Sequence, residues 1–593
     1  MKLCMLVENA NTDPKLDPKS YNAPLKGTLE VTYDQKQISK YNIFTFCYHK
    51  RFIIDLNRTI NKGSRISRRD FLKLLLQSGS SVVLFAMFGF GGFYNTLFKL
   101  QSPSGNRSGN IGSAITAGSW SSSSNSVDVA IHAALLGNGK VFYLAGSGFH
   151  RDQVSGPYKH AIWDPANNTH TQYTLSEDLF CCGMTTLPSG NILLAGGTLE
   201  YDMQNEEGKF KGLKSAYEVN FSSGSVGNKT QMSHGRWYPT CVTQSDGKVL
   251  VVQGWDEIGG NNRLVEIYDP STKSWSIKLW PGGTLKYCVG SQCYGPGTAP
   301  YLSLYPRMHL MPSGLVASVG MEAVDRIYEP STGKWYFAGN VQKRHYGTSV
   351  LLPLQNTATE KGKILICGGS PSAVDPATNT AQIAEPSATY GLTRRSVKSM
   401  TYARKHVSPV ILPTGQVVIF GGNKQTNTLP VYAPEMFDPV SETWTVLPSA
   451  KVPRLYHSVA LLLQDGRIWT AGTTLDFDSR DLRVEIFSPG YVAETRPSIS
   501  GSISGGLYAG TITIPTPDAA RITKVSLVKT SSVTHHYNTD QRLIWLQKNN
   551  NDASSITVKS PINSKIAPPG YYLIHILNSA NIPSKGKFVK IHA

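Results

Sequence analysis

Charge is scarce in this chain. Asp, Glu, Lys and Arg make up 17% of its 593 residues, against 40% hydrophobic ones. So low a charge argues against a disordered polyelectrolyte, and most of the chain should fold. Helical periodicity is missing too, because no long stretch outside the N-terminal region repeats its apolar residues at helical spacing. Cysteine is sparse, eight in all, too few for a disulfide-built scaffold of this length. There is no Gly-x-Gly-x-x-Gly pattern, so neither a flavin nor a nicotinamide is implied. Acidic residues are outnumbered 40 to 58, a formal net charge of +18. The Lys and Arg residues are scattered rather than gathered into a stripe, which argues against nucleic acid as a partner. A basic surface still suits an anionic cell-surface glycan or a membrane surface.

Glycine (54), tyrosine (28) and tryptophan (10) are abundant, the composition of a turn-rich all-β protein. From residue 130 one pattern recurs: a polar turn with Gly, a short hydrophobic strand, then Gly or Gly-Gly. Seven copies occupy 137–146, 188–197, 245–254, 312–320, 361–369, 413–422 and 464–472. Their turn glycines are Gly139, Gly190, Gly247, Gly314, Gly362, Gly415 and Gly466, at intervals close to the roughly 50-residue period of kelch repeats. Several copies add an aromatic-acid-Pro element and a later Trp, as in Tyr268-Asp269-Pro270 with Trp275 or Phe437-Asp438-Pro439 with Trp444. The glycines permit the tight turns and close approach that a four-stranded blade needs. The pattern predicts a seven-bladed β-propeller over 121–490. Short alternating strands then predict an immunoglobulin-like β-sandwich over 491–593.

Three segments precede the propeller. Ser67-Arg68-Arg69-Asp70-Phe71-Leu72-Lys73, with the apolar run to Phe98, reads as a twin-arginine export signal over 67–100. A leader, 1–66, stands before it. No Met lies between Met5 and Met87, so a later start would need a non-AUG codon. No small-x-small cleavage site follows Phe98, and Val82 to Phe98 is near the lower limit for a bilayer span. Cleavage and retention as a membrane anchor both stay open. Residues 101–120, rich in Ser and Gly, read as a linker. The implied location is periplasmic, extracellular or anchored at the cell surface. In such a compartment Cys288 and Cys293 could close a small disulfide loop.

Four short pieces carry the chemistry: Phe180-Cys181-Cys182-Gly183, Arg236-Trp237-Tyr238-Pro239, Leu455-Tyr456-His457-Ser458 and Thr534-His535-His536-Tyr537. Together they offer thiol, phenol and imidazole, and the last two suit a tetragonal Cu(II) ion. Taken singly, each has an ordinary structural reading. Buried free cysteine is common, and a Tyr or His beside a propeller strand is usually packing. Cys181 and Cys182 cannot both face one phenol if they lie on a strand. Tyr456 and His457 can share a metal only where the backbone bends.

Over roughly residues 115 to 593 these motifs on a kelch propeller resemble the copper radical oxidases, the galactose oxidase and glyoxal oxidase group. The resemblance implies one copper ion held by Tyr238, Tyr456, His457 and His535. It also implies a thioether between Cys181 and Tyr238 that makes Tyr238 a radical cofactor. Cys182 and His536 are the alternatives to Cys181 and His535. Trp255 falls near the place where galactose-type members set an indole over the thioether, and Arg307 and Phe180 near substrate-contacting positions. The polar residues that would mark galactose are not recognisable in Ser370-Pro371-Ser372-Ala373-Val374-Asp375. The implied reaction oxidises a primary alcohol, a sugar hydroxymethyl group or a hydrated aldehyde while reducing O2 to H2O2. In that scheme Tyr456 is the base and Tyr238 the hydrogen acceptor. A non-catalytic propeller binding glycan or protein at the cell surface is the competing reading.

Overall fold

The computed structural model describes residues 118–148, 156–201, 210–425, 428–474 and 481–593. The leader, the twin-arginine segment and nearly all of the linker lie outside the described residues. Within them the chain is all-β, with two short 3-10 turns, Gly490–Ala493 and Ala519–Arg521, as its helical elements.

Seven antiparallel sheets follow one another along the chain, each ordered from an inner strand outward. The inner strands are His132–Leu135, Gly183–Thr186, Thr240–Thr243, Met308–Leu310, Thr348–Leu351, Ser408–Ile411 and Val459–Leu462, numbered here as blades 1 to 7. All seven are buried along their whole length. Such short apolar strands cannot stand alone, and packing them side by side around one axis buries both faces of each. The ring closes on itself. Ser119–Ser122, starting inside the stretch read as linker, is the outer strand of blade 7 and pairs with Glu485–Ser488.

Each inner strand except that of blade 5, where the connection is longer, passes to the next strand through the same turn. In blade 2, Leu187 N–H donates to Asn191 O and Gly190 N–H to Leu187 O. The repeat glycine closes the connection in every blade, at φ between 77 and 92° in all seven. That left-handed conformation is strained for any residue with a Cβ, which is why glycine recurs there.

The second domain packs on this turn face. Its five-stranded sheet runs Leu354–Gln355, Leu543–Leu546, Ile522–Lys529, Gly570–Asn578 and Lys587–Ile591. The first of these strands comes from the propeller, extended out of the blade 5 turn. A three-stranded sheet, Thr511–Pro515, Ser555–Lys559 and Lys548–Asn551, faces it. Met311, Leu354, Leu527 and Ile574 share one apolar cluster, so the core runs from propeller into sandwich.

One hairpin leaves the sandwich. Ser532–Thr534 pairs with the blade 1 inner strand, Ala133 opposite Val533, and returns as Tyr537–Asn538. At its foot the buried Asp540 accepts from Lys529 Nζ (2.8 Å), Thr185 Oγ1 (2.9 Å) and Thr186 N–H (3.0 Å). This places the hairpin tip, His535-His536, among the inner-strand entrances of the propeller.

Candidate metal centre

The site is built from one backbone position used again and again. Just before its inner strand, each of blades 2 to 7 holds a non-glycine residue at positive φ. These are Cys181 (63°), Tyr238 (65°), Tyr305 (47°), Tyr346 (57°), His406 (58°) and His457 (61°). Left-handed backbone costs about 1–3 kcal/mol at such residues, and here it turns each side chain toward the axis. Hydrogen bonds join these positions from blade to blade: Tyr238 N–H to Cys181 O (2.9 Å), Tyr305 N–H to Tyr238 O (3.0 Å) and His406 N–H to Tyr346 O (3.0 Å). The hairpin tip adds His535 (46°) and His536 (66°) in the same conformation.

An arginine precedes the turned residue in four of these blades, and its buried guanidinium grips backbone. Arg236 donates to Gln253 O and Leu264 O and pairs with Glu266. Arg404 donates to Gly421 O and Ala433 O and pairs with Glu435. Arg344 and Arg454 play the same part in blades 5 and 7. Blade 7 carries one extra residue between its arginine and its strand. Both Tyr456 and His457 therefore enter the centre, and the left-handed turn at His457 is the bend that adjacent ligands require.

Cys181, His457 and His535 have ligand atoms within 4.8 Å of one another. The Tyr238 and Tyr456 hydroxyls are in hydrogen-bond contact. Cys181 Sγ lies 3.7 Å from His535 Nε2, and the Tyr238 and His535 ring centres are 4.5 Å apart. Each of the two imidazoles is oriented by a threonine at Nδ1: Thr474 Oγ1 on His457 (2.9 Å) and Thr534 Oγ1 on His535 (2.6 Å). Nε2 is thereby the nitrogen that can face a metal, the usual outer support of a ligand histidine.

Burial governs the electrostatics. It pushes the Tyr238 and Tyr456 phenols and the Cys181 thiol far above their ordinary ranges; charge on Cys181 adds to the rise of both phenols, and Asp178 and Cys182 add to that of the thiol. It holds His535 well below 6.5, reinforced by the imidazoles of His457, His132 and His536 and by Arg307. The centre is therefore a set of neutral donors, and a cation among them would reverse the preference of the phenols.

The structure brings Cys181, Tyr238, Tyr456, His457 and His535 together, and it separates the two ambiguous pairs. Cys181 turns inward, whereas the Cys182 sulfur lies beside His132 Nδ1 at 3.9 Å. His536 points away from the thiol, toward His406 (ring centres 5.3 Å). Three expectations change. The indole against Tyr238 is Trp237 (3.9 Å), and Trp255 packs on Trp237 at 5.0 Å, because the two backbones pair and set the indoles in successive layers. Arg307 is 4% exposed and donates to His535 O (3.0 Å), Tyr305 O (3.2 Å) and Gly347 O (3.4 Å). It holds the histidine loop and is not open to a substrate. Phe180 is fully buried with its ring on His457, which makes it a wall behind that ligand. Cys288 and Cys293 are disulfide-bonded across an exposed hairpin.

Sequence reasoning missed Tyr346, His406 and the arginine series. Their signal is present: Arg344-His-Tyr-Gly-Thr348 and Arg404-Lys-His-Val-Ser408 repeat the form of Arg236-Trp-Tyr-Pro-Thr240 and Arg454-Leu-Tyr-His-Ser458.

Residues 151–491 match the glyoxal oxidase N-terminus family, and residues 496–591 match the galactose oxidase-like early set domain. Galactose oxidase of Gibberella zeae is 29% identical over 457 residues, which cover 72% of this chain and 63% of that protein. The match thus spans less than two thirds of the galactose oxidase. Aldehyde oxidase GLOX of Vitis pseudoreticulata is 26% identical over 485 residues, 73% of this chain and 86% of that protein. Among solved structures, a fungal alcohol oxidase in complex with copper superposes with a TM-score of 0.68 at 24% identity. That likeness covers 80% of this chain and 100% of the other, and it shows the fold.

Proposed function

Because the chain belongs to the glyoxal oxidase family, with a galactose oxidase-like early set domain behind the propeller, we propose that it is a copper radical oxidase. The observation that carries this reading is the convergence of Tyr238, Tyr456, His457 and His535 beside Cys181 in one neutral pocket, buried but for one flank of Tyr456. Two imidazoles with their rear nitrogens engaged and two touching phenols are a donor set that fits Cu(II). When bound, one copper ion would supply Lewis acidity toward a substrate oxygen and a one-electron redox couple.

The chain's own groups divide the remaining work. Joining Cys181 Sγ to the Tyr238 ring breaks one S–H and one C–H bond and releases two protons and two electrons, for which O2 is the acceptor. The sulfur makes the Tyr238 ring easier to oxidise, and its phenoxyl form takes the hydrogen from the substrate carbon. Tyr456, in contact with the Tyr238 hydroxyl and partly exposed, takes the substrate hydroxyl proton. Trp237 covers one face of the Tyr238 ring and shields it from solvent. Two electrons and two protons pass in total from an alcohol or hydrated aldehyde to O2. An aldehyde or a carboxylic acid leaves with H2O2.

The twin-arginine segment supports export, and the Cys288–Cys293 bond suits an oxidising compartment. Peptide mass mapping after copper loading in air tests the reading. A Cys181 peptide joined to a Tyr238 peptide, two hydrogens lighter, is expected only when copper is present. Separate peptides at full copper occupancy would leave a binding propeller.

A further inference from the structure

Blade 1 departs from the other six. Among the described residues it holds no left-handed, non-glycine residue before its inner strand. That strand begins instead at His132, which lies opposite Thr534 of the hairpin. The His132 ring is fully buried and stands edge-on to that of His535, 5.6 Å away centre to centre. The proposed donor set makes no use of it.

Both ring nitrogens of His132 are engaged, and both by the cysteine pair. Cys181 N–H donates to Nε2 (3.2 Å), and Nδ1 lies 3.9 Å from Cys182 Sγ. A ring nitrogen that accepts carries no proton, so the single proton of the neutral imidazole sits on Nδ1 and faces the Cys182 sulfur. The other backbone group of Cys181, its carbonyl, accepts from Tyr238 N–H (2.9 Å). Cys181 is thus held by blade 3 at one end and by His132 of blade 1 at the other. The two sulfurs are parted as a result. Cys181 packs with Trp237, Tyr238 and Tyr305, whereas Cys182 packs with Leu144, Leu179 and Leu194.

Left-handed backbone at Cys181 (φ 63°) is unfavourable for any residue with a Cβ. A buried N–H with no acceptor is costly as well. His132 Nε2 removes the second penalty only while the turn is kept, and so it favours the turn. We infer that His132 is the positioning residue that selects Cys181 over Cys182 for the thioether: Nε2 pins the turned backbone of Cys181, and Nδ1–H keeps the Cys182 sulfur outside the centre. His132 touches neither reacting atom. In the step it serves, the Cys181 S–H and one Tyr238 ring C–H break, one C–S bond forms, and two protons and two electrons pass to O2. Without the acceptor, Cys181 relaxes toward extended backbone, and its sulfur leaves the Tyr238 ring.

The inference rests on the oxidase reading for the link itself, and two assays separate them. During copper loading in air, the Cys181–Tyr238 peptide should form about tenfold more slowly in His132→Phe, which keeps a ring and loses the acceptor. His132→Gln, whose Oε1 can accept in place of Nε2, should stay within about threefold of wild type. A purely structural role would slow both variants in step with their melting temperatures, and that outcome overturns the inference. The second assay needs no copper. Methyl methanethiosulfonate on the folded, copper-free full chain should label Cys181 ahead of Cys182, since the pocket of Cys181 opens to solvent at Tyr456. That preference should shrink about tenfold in His132→Phe and persist in His132→Gln. An unchanged preference in folded His132→Phe overturns the role. Nitrogen NMR of the histidine-labelled wild type tests it with no variant at all, because a proton found on Nε2 of His132 also overturns it. Absence of the link in wild type overturns the oxidase reading, and the labelling preference then decides the role of His132 alone.

Discussion

Thr474 and Thr534 stand one atom behind the two imidazoles proposed as copper ligands. Each hydroxyl engages Nδ1 of a histidine and aims Nε2 into the centre. Thr474→Val keeps the shape of the side chain and removes the bond. Copper affinity should fall roughly 10–100-fold, as read by competition with a chelator. An unchanged affinity would mean that packing against Phe180 alone orients His457. Arg307 acts through backbone in the same way, since its guanidinium holds the carbonyl of His535. Arg307→Gln should weaken copper binding without touching any donor atom. Its effect should be smaller in the cross-link assay, because Cys181 and Tyr238 are tied to each other by their own backbone bond.

At the scale of the blade, the repeated arginine decides whether a strand entrance is rigid. Arg404 and Glu435 are both fully buried, and Glu435 also accepts from Thr401 N–H and Tyr402 N–H. Glu435→Ala leaves an uncompensated charge in the interior, which costs about 3–5 kcal/mol. The exposed Arg395–Glu442 pair is worth about 0–1 kcal/mol, so Glu442→Ala should barely move the guanidinium midpoint. Similar midpoints for the two variants would deny the blade-locking role. A tighter constraint sits beside His457, one of the proposed ligands. A Cβ on Gly472 would stand 2.3 Å from Ala130 O and 2.6 Å from His457 O, at φ +70°. Gly472→Ala must displace the backbone that carries His457, and a loss of copper binding larger than that of Thr474→Val is expected.

Across the whole molecule, buried neutral histidines set the response to acid. Burial lowers His132, His309 and His406 to about 3, and His575 to about 4, from the usual 6.5. In the unfolded chain these groups take up protons below about 6.5, while in the folded chain they do not. The unfolded state then binds more protons, so stability is fully present above 6.5 and is lost as pH falls toward the folded values. The melting temperature should drop steadily between pH 6.5 and 4.5, with net proton uptake on unfolding. A flat profile would mean that these rings are hydrated. Copper at about 100 times its Kd should raise stability by about 2.7 kcal/mol, and a chelator should reverse the gain.

The fold was legible from local chemistry. The strand-to-strand turn holds its left-handed position with glycine in every blade, so seven glycines with seven hydrophobic strands announce seven blades without any knowledge of their contacts. The candidate ligands were legible through their motifs for the same reason, since each is a short segment at a strand entrance. Which member of Cys181-Cys182 and of His535-His536 enters the centre was not. Adjacent residues differ there only in the direction that a left-handed turn sends each side chain, and that turn is held by bonds to other blades. The diversion of Arg307 to a carbonyl and the turn of His536 toward His406 arise where the blades and the returning hairpin meet at an axis, from contacts between residues more than a hundred positions apart. The placing of Trp237 ahead of Trp255 follows from the backbone pairing of those two residues, 18 positions apart. Sequence by itself determined the elements and the donor types. Closure of the ring around the hairpin decided which donors meet, because only there does burial strip water from them all at once.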